Sequence, residues 1–153
     1  MKTTRISDPQ PLLIDGNSLV TRAIMATALD DLKAGGIWTG GLYGSLSSLA
    51  SFLSTLEGDW TPASSIFMFF DEGVHPERKA LIPEYKEDRK EKRELLPPEE
   101  KEKAMAQIAM AQEMFALLGV RVLRFKNREA DDGVAALARL AVDVRLGLGI
   151  PDL

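Results

Sequence analysis

The sequence contains no cysteine, which removes disulfide frameworks, thiol nucleophiles and cysteine-ligated zinc or iron-sulfur centres. Its one histidine, His75, excludes a zinc site of several imidazoles and leaves a single candidate base for a histidine triad. No apolar run approaches the roughly 20 residues of a membrane helix. Positive charge is not in excess either: the net charge is -4, so no global field draws the chain to nucleic acid or anionic lipid, and attraction to phosphate has to be local. What is present, 45% hydrophobic and 27% charged residues in a chain of 153, suits one globular domain able to bury a core. The expectation is a cytoplasmic protein in which any metal is held by oxygen.

The apolar pattern alternates between strand-like and helix-like runs. Leu12-Leu13-Ile14 reads as a strand closed by Asp15-Gly16-Asn17-Ser18, where turn formers lead into a helix carrying Leu19, Val20, Ala23 and Ile24. The glycines at 35, 36, 40 and 41 lack both the Walker lysine spacing and the dinucleotide-binding fingerprint, and read as a flexible connection in which Trp38 is a core anchor. Leu42, Leu46, Leu49, Leu53 and Leu56 then predict an amphipathic helix. Ile66-Phe67-Met68-Phe69-Phe70 predicts a strand covered on both faces and ending in Asp71. Pro97-Pro98 opens a helix with Met105, Ile108, Gln112, Phe115 and Leu118 as its expected inner face. Val120 to Phe125 is a third strand, and Glu129-Ala130-Asp131-Asp132 starts a last helix to about Leu146. This order predicts an α/β fold with a parallel sheet and helices on both faces.

In such a sheet ligands collect outside the carboxyl ends of the strands, and each of the first two strands delivers an aspartate there. Asp15 and Asp71 are expected to be neighbours. Glu129 and Asp132, three apart at a helix start, can share one face, with Asp131 beside them. Five carboxylates together are costly unless a cation neutralises them, and carboxylate oxygen suits magnesium or manganese. Each acid alone is equally well a turn former or a helix-start charge.

A second cluster has the opposite sign: Arg78, Lys79, Lys86, Arg89, Lys90, Lys92 and Arg93 surround Pro83-Glu84-Tyr85-Lys86. Interleaved Glu84, Glu87, Asp88, Glu91 and Glu94 make a solvated, salt-bridged helix the plainer account. Standing over the acids, the same segment would hold phosphates with its cations and stack Tyr85 on a base. Ser18 lies near Asp15, but with His75 alone as base, serine hydrolase chemistry is disfavoured. So is an aspartyl phosphatase, whose general-acid position two residues on is filled by Asn17.

Leu13-Ile14-Asp15-Gly16-Asn17-Ser18 with Arg22, Thr39 to Gly44, Phe70-Asp71, Arg78, Pro83-Glu84-Tyr85-Lys86 with Arg89, and Glu129-Ala130-Asp131-Asp132 resemble, in order, the 5'-3' exonuclease and flap endonuclease family of bacteriophages and of bacterial DNA polymerase I. The resemblance runs from about Leu12 to about Arg139. It implies a PIN-like parallel sheet flanked by helices and Mg2+- or Mn2+-dependent hydrolysis of phosphodiesters in DNA with a 5' end or flap, or in an RNA primer. By motif match Asp15, Asp71, Glu129, Asp131 and Asp132 would form the first metal site. Asp15, Asp71, Lys86 and Arg89 would carry the catalysis, and Arg22, Arg78, Tyr85, Lys86 and Arg89 would contact nucleic acid. The segment at about 82–96 would belong to the family's helical arch.

In the family, the last helix is followed by another strand ending in a pair of aspartates and then by a helix-hairpin-helix region that grips duplex DNA. Here the sequence runs to Leu153 without either. The expectation is therefore a single partial domain, 1–153, incomplete on its own: either part of a split nuclease completed by a second protein chain or by a homo-oligomer, or a truncated product, with no membrane partner. A non-catalytic nucleic-acid-binding or partner-binding relic is the alternative.

Overall fold

The structure, a computed structural model, describes residues 11–28, 30–55, 65–73, 76–82, 84, 95 and 97–145, with the backbone alone at 79, 144 and 145. Three strands, β1 (Leu12–Asp15), β4 (Ile66–Phe70) and β5 (Arg121–Arg124), form a parallel sheet in the order β1-β4-β5. The register sets Asp15 opposite Phe69 and Phe70 opposite Arg124. Parallel strands need covered crossovers, and the helices supply them. They are α1 (Gly16–Ala26), α2 (Gly40–Ser54), α3 (Pro76–Leu81), α4 (Pro98–Leu117) and α5 (Ala130–Arg145).

β4 explains the two-sided packing, because alternate side chains of a strand point to opposite faces. Ile66, Met68 and Phe70 join Val20 of α1, Leu49 of α2 and Ala111 and Phe115 of α4 in one buried cluster. Phe69 points the other way and meets Gly133 of α5 so closely that a Cβ there would stand 2.8 Å from its Cε1. Full burial of side chains of this size stabilises by about 1.5–3 kcal/mol each. Only glycine lets α5 approach the sheet this far, and that approach fixes where the acids at its N-terminus stand.

Three expectations are corrected. The glycine-rich stretch is structured: β2 (Lys33–Ala34) and β3 (Ile37–Trp38) form an antiparallel hairpin, with Gly35 (φ 59°) and Gly36 (φ 81°) supplying the left-handed backbone of its two-residue turn. Gly40 and Gly41 are buried in the first turn of α2. Trp38 is not a core anchor. It is half-buried, with the Lys33 and Lys103 ammonium groups 3.9 and 4.6 Å from its ring centroid. Finally, α4 presents a rotated face: Gln107, Ala111 and Phe115 are buried, whereas Met105 is 71% exposed and Leu118 lies at the surface. The physical reason is polar. Thr39 makes no side-chain cap at the start of α2, and Gln107 Oε1 accepts the Gly41 N–H at 2.7 Å in its place, drawing that face of α4 inward.

Candidate active site

Three of the five acids have a defined local task. Asp15 ends β1 and caps α1, its Oδ1 accepting from the Ser18 N–H at 2.9 Å and its Oδ2 from the Ser18 hydroxyl at 2.6 Å. Asp71, directly after β4, accepts the Ala130 N–H at 2.7 Å and so satisfies one of the orphan donors at the start of α5. Asp132 reaches back to the Glu129 N–H at 3.2 Å, the reciprocal half of a capping box. Negative charge in a helix's first turn is favourable in itself, so the local rules place acids here before any ligand is considered.

A cation joins two of them. Arg78, on α3, donates from Nη1 to Glu129 Oε2 at 2.9 Å, and its Nη2 pairs with Asp132. Glu129 is 5% exposed and Arg78 39%, so the guanidinium covers the carboxylate from the solvent side. Asp131 is exposed, as is Arg22 on α1. Tyr85, Lys86 and Arg89, with the rest of the 82–96 segment apart from Ile82, Glu84 and Leu95, lie outside the described residues, as does His75.

Asp15 and Asp71 thus stand at the carboxyl ends of adjacent strands, and Asp71 meets the start of α5. Among the described residues, no three Asp, Glu or His side chains are arranged to hold a metal ion. The donor set fits a hard divalent cation in chemistry, being carboxylate oxygen throughout. In the observed arrangement Arg78 supplies the positive charge for Glu129 and Asp132, and an ion would have to compete with it. Among the described residues, no helix is long and apolar enough to cross a membrane.

Sequence reasoning passed over two features. One is Gln107, which links α4 to the start of α2; a glutamine within an otherwise apolar helical stripe was the available signal. The other is the stretch Arg124-Phe125-Lys126-Asn127-Arg128, whose three cations in five residues, without an acid, could have been read directly.

The model of the family described as the 5'-3' exonuclease, N-terminal resolvase-like domain, matches residues 10–148. DNA polymerase I of Mycobacterium tuberculosis (strain ATCC 25618 / H37Rv) is 34% identical over 134 residues, which is 87% of this chain and 13% of the polymerase. The 5'-3' exonuclease of Bacillus subtilis (strain 168) is 30% identical over 148 residues, 93% of this chain and 46% of that enzyme. Among solved structures, bacteriophage T5 5'-exonuclease with bound zinc ions superposes with a TM-score of 0.62 at 22% identity, over 87% of this chain and 45% of the phage protein. A T5 flap endonuclease in a pseudo-enzyme-product complex with DNA and metal ions gives 0.61 at 22%, over 88% and 45%. The chain therefore spans less than half the length of the relatives it matches. The architecture is the PIN-like one of the phage enzymes, and by its sequence match this chain belongs to the 5'-3' exonuclease family, within its N-terminal resolvase-like domain.

Proposed function

We propose that this chain is a divalent-metal-dependent 5'-3' exonuclease or flap endonuclease module that hydrolyses phosphodiesters in DNA, or in an RNA primer, in the cytoplasm. The observation that carries the reading is the placement of Asp15 and Asp71 at the carboxyl ends of neighbouring parallel strands, with Asp71 hydrogen-bonded to the start of the helix bearing Glu129, Asp131 and Asp132. These five acids would hold Mg2+ or Mn2+. The ion would supply activation of a water and neutralisation of charge at the phosphate, and hydrolysis would yield a phosphomonoester and an alcohol. Arg78 and Arg22 would hold phosphates near the acids, with Tyr85, Lys86 and Arg89 doing so from the arch-like segment, where Lys86 and Arg89 would also assist the reaction.

One observation favours a second reading, a nucleic-acid-binding relic without catalysis: Arg78 already neutralises Glu129 and Asp132. A flap-cleavage assay in manganese, with the Asp15→Asn, Asp71→Asn double variant as control, separates the two. Cleavage by the parent and none by the variant supports the nuclease. Equal heats of manganese binding in calorimetry from both proteins would remove the metal site.

A further inference from the structure

Beside the carboxylates the chain carries a basic turn that the metal site does not use. Arg124, Phe125, Lys126, Asn127 and Arg128 follow the end of β5, all five exposed. The turn is fixed rather than loose. The Asn127 N–H donates to the Glu72 carbonyl at 2.8 Å, and the Glu72 N–H donates to the Arg128 carbonyl at 3.0 Å. The first bond continues the β4–β5 register past the strand ends, the second departs from it, and together they tie the turn to the residue next to Asp71. The Arg128 N–H closes on the Phe125 carbonyl at 3.0 Å, and Asn127 takes the left-handed backbone (φ 57°) that such a turn needs and asparagine tolerates.

The side chains are arranged unlike those of a self-neutralising surface. Among the described residues, none of Arg124, Lys126 and Arg128 forms an ion pair, although Glu129, Asp131 and Asp132 follow directly in sequence and Glu129 and Asp132 are bridged by Arg78 from another helix. Phe125 lays its ring over Phe69, with centroids 6.3 Å apart and planes 27° from parallel, yet remains 49% exposed. Three exposed cations and the half-exposed ring of Phe125 thus fall within five residues, on a turn that Glu72 ties to the strand end bearing Asp71 and that leads directly into Glu129. Cations that track a phosphate backbone, with an aromatic face for a base, are how proteins bind single strands.

Resting on the nuclease reading above, we propose that the turn Arg124–Arg128 is a binding site for single-stranded nucleic acid: Arg124, Lys126 and Arg128 take phosphates beside the carboxylates, and Phe125 stacks a base. The surface is local, which is how a chain of net charge -4 can hold a polyanion.

The test is fluorescence anisotropy of a labelled oligo-dT strand and of a blunt duplex in EDTA, where no cleavage occurs, at several salt concentrations. The full chain is compared with the Arg124→Gln, Lys126→Ala, Arg128→Ala triple variant, with Lys126→Glu alone, and with Phe125→Leu, which keeps an apolar contact to Phe69. Loss of three phosphate contacts should weaken single-strand binding by tenfold or more and reduce the salt slope by about 2, at roughly 0.7 per phosphate. Phe125→Leu should weaken the single strand and leave the duplex unchanged, and Lys126→Glu alone should lower affinity measurably, so a poorly folding triple variant does not remove the test. Variants that bind the strand as the parent does overturn the site, and so does a loss confined to the duplex. A parent that binds neither probe overturns the nuclease reading together with this one, which distinguishes the two failures.

Discussion

Arg78 stands 2.9 Å from Glu129 Oε2, so a half-exposed guanidinium on a short helix is the counter-charge of a carboxylate that is almost wholly buried at the start of α5. The pair joins two segments far apart in sequence, and it does so where the family resemblance places a metal. Removing Arg78 therefore tests both roles at once.

Replacing Arg78 with glutamine should leave Glu129 and Asp132 without this charge, at a cost of about 1–3 kcal/mol, discounted from the full buried-pair value because Arg78 is 39% exposed. For a domain of this size that lowers Tm in EDTA by roughly 2–12 °C. Manganese should then raise the variant's Tm by more than the parent's, since the ion no longer competes with a guanidinium. Equal manganese-induced shifts would show that Arg78 and the cation do not share a site.

Asp15 permits a cleaner separation of cap from ligand. Asparagine can still accept the Ser18 N–H, so Asp15→Asn should cost less stability than Asp15→Ala, which loses the cap at about 1 kcal/mol. Both should abolish metal-dependent cleavage if the carboxylate holds the ion. Thermal melts with a parallel cleavage assay check this, and an active Asp15→Asn protein would confine Asp15 to its capping task.

How much of this was legible in the sequence follows from which forces are local. Asp15 and Asp71 could be placed because a strand of consecutive apolar residues closed by an acid has one reading in a parallel sheet, and the register bears it out by setting β1 beside β4. The inner face of α4 could not. Met105 and Leu118 fit a helical stripe as well as Ala111 does, and only the unmet Gly41 N–H on a different helix selects the face carrying Gln107. Trp38 failed for a related reason, since its cross-strand neighbour Lys33 and the distant Lys103 both set their ammonium groups over its ring near the surface. The pairing of Arg78 with Glu129 and Asp132 was equally hidden, because a charge run names its cations without naming the partner each one finds.

The contact between Gly41 and Gln107 gives a prediction about stability alone. Gln107→Leu removes the acceptor and leaves a buried N–H unsatisfied, which should destabilise by about 1–3 kcal/mol. Gln107→Glu keeps an acceptor and adds negative charge at a helix start, so it should lose less. Urea denaturation of the two variants ranks them, and the opposite order would mean that burying the charge outweighs the bond.

Gly133 tests the geometry that brings α5 to the sheet. A methyl group there would be driven into the ring of Phe69, which is 1% exposed and has no room to yield, so Gly133→Ala should destabilise by about 1–3 kcal/mol through overpacking. The helix can relieve the clash only by moving away from β4, and that motion carries Glu129 and Asp132 away from Asp71, lengthening the bond Asp71 accepts from Ala130. Cleavage should therefore fall more than the stability loss alone would produce at a temperature where the variant is still folded. Trimming the obstructing ring in a Gly133→Ala, Phe69→Leu double variant should restore part of both. If the single variant melts lower yet cleaves as fast as the parent, the position of α5 on the sheet does not control the acids it carries.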